Sequence, residues 1–220
     1  MQSPNKLKRL VLLRHGQSLG NVWEHFYNND HTNFLSLTGI MQSLKAGEFL
    51  NSLCIDFDKV ISSEMNRARL TASIVSQMMG DHLRRDEHII IDGRLNERGW
   101  EHKPIEQPDK TWDQMESKEE HWERVKSYID DELRPLLGKE NILVVSHGIT
   151  MNVLLAELCP DFIDLDYEKH VENAIPYFLQ YNNGELVDVR GGRLAKNKLP
   201  APLPDEHEVF ATEFWFDQGD

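Results

Sequence analysis

Two runs, Leu10-Val11-Leu12-Leu13 and Ile142-Leu143-Val144-Val145, are apolar at every position, and each is followed, after one polar residue, by a His-Gly pair. A strand with one wet face alternates apolar with polar residues. An unbroken apolar run therefore predicts a strand covered on both faces, the usual state of a parallel strand between two helical layers. Between the runs lie two further short β-branched segments, residues 59–62 and 88–91, separated by helical patterns over 39–53 and 67–79. Residues 119–137 place Trp122, Val125, Ile129 and Leu133 at helical spacing before Gly138, and 148–158 form another helical stretch ended by Pro160. Residues 177–181 and 185–190 flank Asn182-Asn183-Gly184, a hairpin signal.

Strands alternating with helices predict an α/β three-layer sandwich with a mostly parallel central sheet flanked by helices. The chain has 220 residues, which suits one domain over 1–193 followed by a tail, 194–220, that packs on that domain or mediates association. The stretch 97–118, with Pro104, Pro108, Trp100 and Trp112, reads either as an excursion covering a site or as a plain connection. Cys54 and Cys159 lack Cys-x-x-Cys spacing and read as small buried hydrophobes. No apolar run reaches the length of a signal peptide core or a membrane span, which places the protein in the cytoplasm, off the membrane.

Charge excludes a further class. Lys plus Arg number 24 and Asp plus Glu 37, a formal charge of −13, and no basic run exceeds two residues, so no nucleic-acid footprint is present. In an open parallel sheet, ligands bind beyond the carboxyl ends of the strands, where the strand order reverses. Arg14-His15-Gly16 and Ser146-His147-Gly148 leave such ends, so the two imidazoles are expected to converge on one crevice. Glycine at 16 and 148 lets backbone approach a bound group. The Arg14 guanidinium implies an anionic substrate, and Arg67, at the start of a helix, points to phosphate. A histidine beside both cations stays neutral and nucleophilic.

These residues stand within blocks that resemble the histidine phosphatase superfamily, in its phosphoglycerate-mutase-like branch. The motif Arg-His-Gly-(Glu/Gln)-Ser-x-x-Asn is present as Arg14-His15-Gly16-Gln17-Ser18-Leu19-Gly20-Asn21. Leu35-Ser36-Leu37-Thr38-Gly39-Ile40-Met41-Gln42, then Ser62-Ser63-Glu64-Met65-Asn66-Arg67-Ala68, Leu95-Asn96-Glu97 and Ser146-His147-Gly148 are similar to its later blocks. The resemblance implies a phosphoglycerate-mutase-like fold and a phosphomonoester hydrolase. His15 would form a phosphohistidine, Arg14, Arg67 and His147 would hold the phosphoryl oxygens, and Glu97 would be proton donor and then base. Asn21, Gly16, Gln17 and Gly148 would line the substrate pocket. It implies a small phosphorylated metabolite as partner and no cofactor or metal. A homodimer stays open.

The chain departs from the family in Arg98-Gly99-Trp100-Glu101, a contracted acid block, and in Met115 before Glu116-Ser117, where the family has glycine. The short segment after Glu97 favours a phosphatase over a phosphoglycerate-type mutase. Trp23, His25, Phe26 and Tyr27, with Trp100 and Trp112, read as an entrance for an apolar leaving group or as packing. A catalytically silent module that binds a phosphorylated ligand is the non-enzyme alternative. Gly16-Gln17-Ser18-Leu19-Gly20 fits a Gly-x-Ser-x-Gly elbow, but too little chain precedes Ser18 to supply the oxyanion loop. Val60 and Leu165 occupy the position where a cysteine-dependent phosphatase needs arginine, and no phosphate-binding Gly-x-x-x-x-Gly-Lys loop is present. His25, His31, His82, His88, His102, His121, His170 and His207 are scattered without metal-site spacing and read as surface or capping residues.

Overall fold

The computed structural model describes residues 7–22, 33–79, 83, 88–99, 116–160 and 171–191. The tail and the aromatic residues Trp23, His25, Phe26, Tyr27, Trp100 and Trp112 lie outside them. The elements are β1 (Lys8–Arg14), α1 (Leu19–Val22), α2 (Leu37–Ser52), β2 (Lys59–Ser62), α3 (Asn66–Gln77), β3 (Ile89–Ile91), α4 (Lys118–Tyr128), β4 (Ile142–Ser146), α5 (Gly148–Leu158), β5 (Pro176–Asn182) and β6 (Glu185–Gly191). A 3-10 turn, Gly93–Leu95, follows β3, and a π-turn, Ile129–Leu133, continues α4.

The six strands form one sheet in the order β3-β2-β4-β1-β5-β6. The first four run parallel, and β5 and β6 add an antiparallel hairpin at one edge. The hairpin loop is Asn183-Gly184, with φ of 52° and 86°. Both residues sit in the left-handed region that a two-residue hairpin turn demands and that Asn-Gly accepts at least cost.

Alternation across the pleat splits the apolar runs between two cores. Val11, Leu13, Val60, Leu143 and Val145 meet Ala46 and Leu50 of α2 and Ala68, Ala72 and Val75 of α3. Leu10, Leu12, Ile61, Ile142 and Val144 face Val125 and Tyr128 of α4, Ile129 of the π-turn that continues it, and Met151, Leu154 and Leu155 of α5. Each buried Val, Leu or Ile side chain contributes about 1.5 to 3 kcal/mol, so the two-sided runs dominate the core.

The connections leaving β1 and β4 cover opposite faces, because α2 belongs to one core and α5 to the other. The two strands are neighbours with Arg14 opposite Ser146, so their carboxyl ends coincide. That is the topological switch point at which an open sheet leaves a crevice. Cys159 is buried as expected, whereas Cys54 is exposed. Its φ of 50° places it in the tight turn after α2, where the backbone reverses at the surface and no core is at hand.

Candidate active site

Parallel pairing of β1 with β4 continues one residue beyond the strands, since the His15 N–H donates to the Ser146 carbonyl at 2.9 Å. This register carries the two imidazoles to one rim, with ring centroids 5.1 Å apart and planes inclined at 60°. His15 is 3% exposed and His147 fully buried.

The His15 ring is oriented through both nitrogens. Nδ1 lies 2.6 Å from the Gly16 carbonyl, an acceptor only, so Nδ1 carries the proton and donates it. Nε2 is left with its lone pair and accepts from Arg67 Nε at 3.3 Å. Burial, then the charges of Arg67 and Arg14, hold the His15 imidazole well below its usual pKa. At neutral pH the ring is uncharged, with a nucleophilic Nε2 aimed at a guanidinium.

Arg67 occupies the first turn of α3 and is 5% exposed. Arg14, at the end of β1, donates from Nη1 to the Val171 carbonyl, while its buried Nε has no partner among the described residues. His147 Nε2 meets Ser63 Oγ at 2.7 Å, and its buried Nδ1 is likewise without a partner there. Burial first, then Arg67, His15 and Arg14, depresses the His147 pKa. Buried polar atoms in native proteins are rarely left unmatched, so Arg14 Nε and His147 Nδ1 beside the His15 ring are polar groups that a bound anion can satisfy.

Gly16 has a packing use that its sequence reading did not include. A Cβ there would lie 2.3 Å from the Gly39 carbonyl, and one on Gly39 would lie 2.0 Å from the Gln17 carbonyl. The pair therefore lets the first turn of α2 sit directly on the loop after His15, and the close approach is to backbone. The Gly16 N–H is committed to Thr71 Oγ1 at 3.0 Å and the Gln17 N–H to Gln42 Oε1 at 2.8 Å. Gln17 Oε1 accepts from Ser36 Oγ at 2.8 Å. Asn21 Oδ1 accepts from the Ser18 N–H at 3.0 Å and from Ser18 Oγ at 3.1 Å, so the elbow serine is tied to Asn21. Gly148 stands under Arg14, where a Cβ would lie 3.4 Å from the guanidinium carbon.

Glu97 reaches the same rim from the loop after the 3-10 turn. Its Oε2 accepts from the Ile149 N–H at 3.1 Å, and its Oε1 accepts from the N–H groups of Arg98 at 3.0 Å and Thr150 at 3.3 Å. The carboxyl thus sits on the amino end of α5, immediately after His147, where helix N–H groups have no intrahelical partner. Two clamps hold its loop. Asn96 Nδ2 donates to Glu64 Oε1 at 2.7 Å. Arg124 makes a bidentate pair with Glu116, both bonds 2.7 Å, and donates from Nη1 to the carbonyls of Arg94 at 2.8 Å and Asn96 at 3.1 Å.

His15, His147, Arg14, Arg67 and Glu97 are therefore brought together, with Gly148 against Arg14. Gly16, Gln17 and Asn21 serve the loop that presents His15. Sequence reasoning had no role for Ser63, Thr71, Thr150 or Asn173, whose Nδ2 donates to the His15 carbonyl at 2.8 Å. His121, read from the sequence as a surface or capping residue, is fully buried on the inward face of α4 against Thr150. Ser63 stood inside a recognised block, whereas nothing local marks Asn173.

The histidine phosphatase superfamily (branch 1) model matches residues 10–190. The chain belongs to that superfamily. A Hydrogenobacter thermophilus protein provisionally named phosphoserine phosphatase 2 is 28% identical over 190 residues, covering 76% of this chain and 87% of its own. The phosphoglycerate mutase of Schizosaccharomyces pombe is 26% identical over 205 residues, covering 81% and 95%. The crystal structure of the alpha-ribazole phosphatase from Shigella flexneri has the same fold, with a TM-score of 0.65 at 23% identity over 87% of this chain and 100% of that one. Superfamily relatives of this chain are thus phosphatases or phosphoglycerate mutases, and the fold is phosphoglycerate-mutase-like.

Proposed function

We propose that the protein is a phosphomonoester hydrolase acting on a small phosphorylated metabolite through a phosphohistidine on His15. The reading rests on one observation: two buried imidazoles 5.1 Å apart, flanked by Arg14 and Arg67, at the carboxyl ends of adjacent parallel strands. His15 Nε2 donates its lone pair to phosphorus as the ester P–O bond breaks. Arg14, Arg67 and His147 hold the equatorial oxygens, over which the charge of the transition state spreads. Glu97, as the acid, gives its proton to the departing alkoxide. Its carboxylate then takes a proton from water, whose oxygen attacks phosphorus while the P–N bond breaks and returns the pair to Nε2.

Ser63 already accepts the Met65 N–H at 3.1 Å and has a proton of its own to give. Donated to His147 Nε2, that proton leaves Nδ1–H as a donor for a phosphoryl oxygen. A mutase would use the same intermediate and return the phosphoryl group to a second hydroxyl. The short segment after Glu97 favours water as the acceptor.

The test is a panel of phosphomonoesters with acid-quench trapping of labelled phosphoenzyme. Turnover and a labile phosphoryl label that His15→Ala removes are expected. Absence of turnover across the panel, or a label that survives His15→Ala, overturns the reading. Transfer to 3-phosphoglycerate exceeding hydrolysis, in the presence of its bisphosphate primer, selects the mutase.

A further inference from the structure

Behind Glu97 lies a buried hydrogen-bond chain that the reaction as described does not use. Thr150, in the first turn of α5, and His121, on α4, are both fully buried. Thr150 Oγ1 lies 2.8 Å from the Asn96 carbonyl, 3.0 Å from His121 Nε2 and 3.4 Å from Glu97 Oε1.

The proton count decides the directions. A hydroxyl has one proton, and both the Asn96 carbonyl at 2.8 Å and the Glu97 carboxylate oxygen at 3.4 Å accept, so the Thr150 proton goes to Asn96, the nearer of the two. The imidazole contact must then run the other way, with His121 donating from Nε2. His121 thereby fills a Thr150 lone pair and prevents the hydroxyl from turning toward the ring. The bond to Asn96 bridges the backbone that leads into Glu97 and the helix turn whose N–H groups the Glu97 carboxyl accepts. Its length sets where the carboxyl rests on α5.

We propose that Thr150, directed by His121, is a positioning residue for Glu97, holding the proton donor at the angle and distance the leaving oxygen requires. The proposal rests on the reading of Glu97 as proton donor. Burial, with the charges of Arg124 and Arg98, pushes the His121 pKa down to about 3. The ring therefore adds no cation beside the acid, and its part in the chain is that of a directional donor.

The test separates chemistry that needs a proton from chemistry that does not. An aryl phosphate such as p-nitrophenyl phosphate leaves as a stable phenolate, whereas an alkyl phosphate such as glycerol phosphate must be protonated on departure. Thr150→Val, which keeps shape and loses the hydroxyl, is expected to lower kcat for the alkyl ester about tenfold more than for the aryl ester, within the range a displaced general acid loses. KM should change little. His121→Phe should show the same bias, and Thr150→Ser should restore the alkyl rate.

Equal losses on both esters, or no rescue by serine, overturn the proposal. Thr150→Ala supplies the same comparison if the valine variant does not fold. A Glu97→Gln variant that loses alkyl turnover while Thr150→Val does not refutes the positioning role alone. Glu97→Gln matching the parent enzyme on both esters refutes the donor assignment and the positioning role together.

Discussion

Acidification should destabilise this protein before its carboxylates titrate. His121 is fully buried, and its folded pKa is pushed down to about 3 by burial and by Arg124 and Arg98. In the unfolded chain an imidazole titrates near 6.5. Below that value the unfolded state binds a proton that the folded state refuses, so acid favours unfolding. The contribution is fully present above about pH 6.5 and is lost as the pH falls toward about 3. At pH 5, roughly 1.5 units below the unfolded pKa, the loss from this one ring is about 2 kcal/mol, a sizeable part of a typical 5 to 15 kcal/mol.

His15 and His147, depressed in the same direction, add to the effect with the same sign. Asp58 and Asp92 are held below their ordinary carboxylate values, so their contributions are lost at still lower pH, leaving pH 5 to 6.5 as the histidine window, roughly. The assay is urea unfolding across that window, with stability plotted against pH. Each buried neutral imidazole adds up to about 1.4 kcal/mol per pH unit to the slope. His121→Gln should flatten the slope near pH 5 by close to one proton. Stability that stays level from pH 6.5 to 5, or equal slopes for the two proteins, would refute the claim that these rings are folded in their neutral form.

Gly39→Ala places a Cβ 2.0 Å from the Gln17 carbonyl, a backbone atom that cannot step aside. A loss of about 3 kcal/mol in the denaturant midpoint and of phosphohistidine formation is expected. Gly20→Ala, facing the Asn33 side chain at 3.0 Å, should be milder. Arg67→Ala removes a cation that meets His15 Nε2 at 3.3 Å. Steady-state kinetics should show KM raised and kcat lowered, with kcat/KM down about 10²- to 10³-fold. Glu116→Gln breaks the bidentate pair that holds Arg124 against the Asn96 carbonyl. Thermal unfolding should register about 1 to 3 kcal/mol, and alkyl-ester turnover should fall with it.

The sequence by itself determined the architecture and the pairing of His15 with His147. Short apolar runs without alternation, bounded by polar stretches, read as strands shielded on both faces, and a His-Gly pair after each marks the strand ends at the switch point. Arg67 was legible because a helix start after a β-branched segment is a local signal. The Asn183-Gly184 hairpin was legible because turn chemistry is local as well.

Tertiary structure alone decided which groups surround the pair. Ser63 on His147, Asn173 on the His15 carbonyl and Thr150 between Glu97 and His121 join residues far apart in the chain, so no spacing announces them. It also showed that Gly16 admits the Gly39 carbonyl, and brought Cys54 to the surface. Periodicity reports which face of an element is dry. The partner of a buried polar atom depends on how the layers close over it, and that is fixed only when the whole core packs.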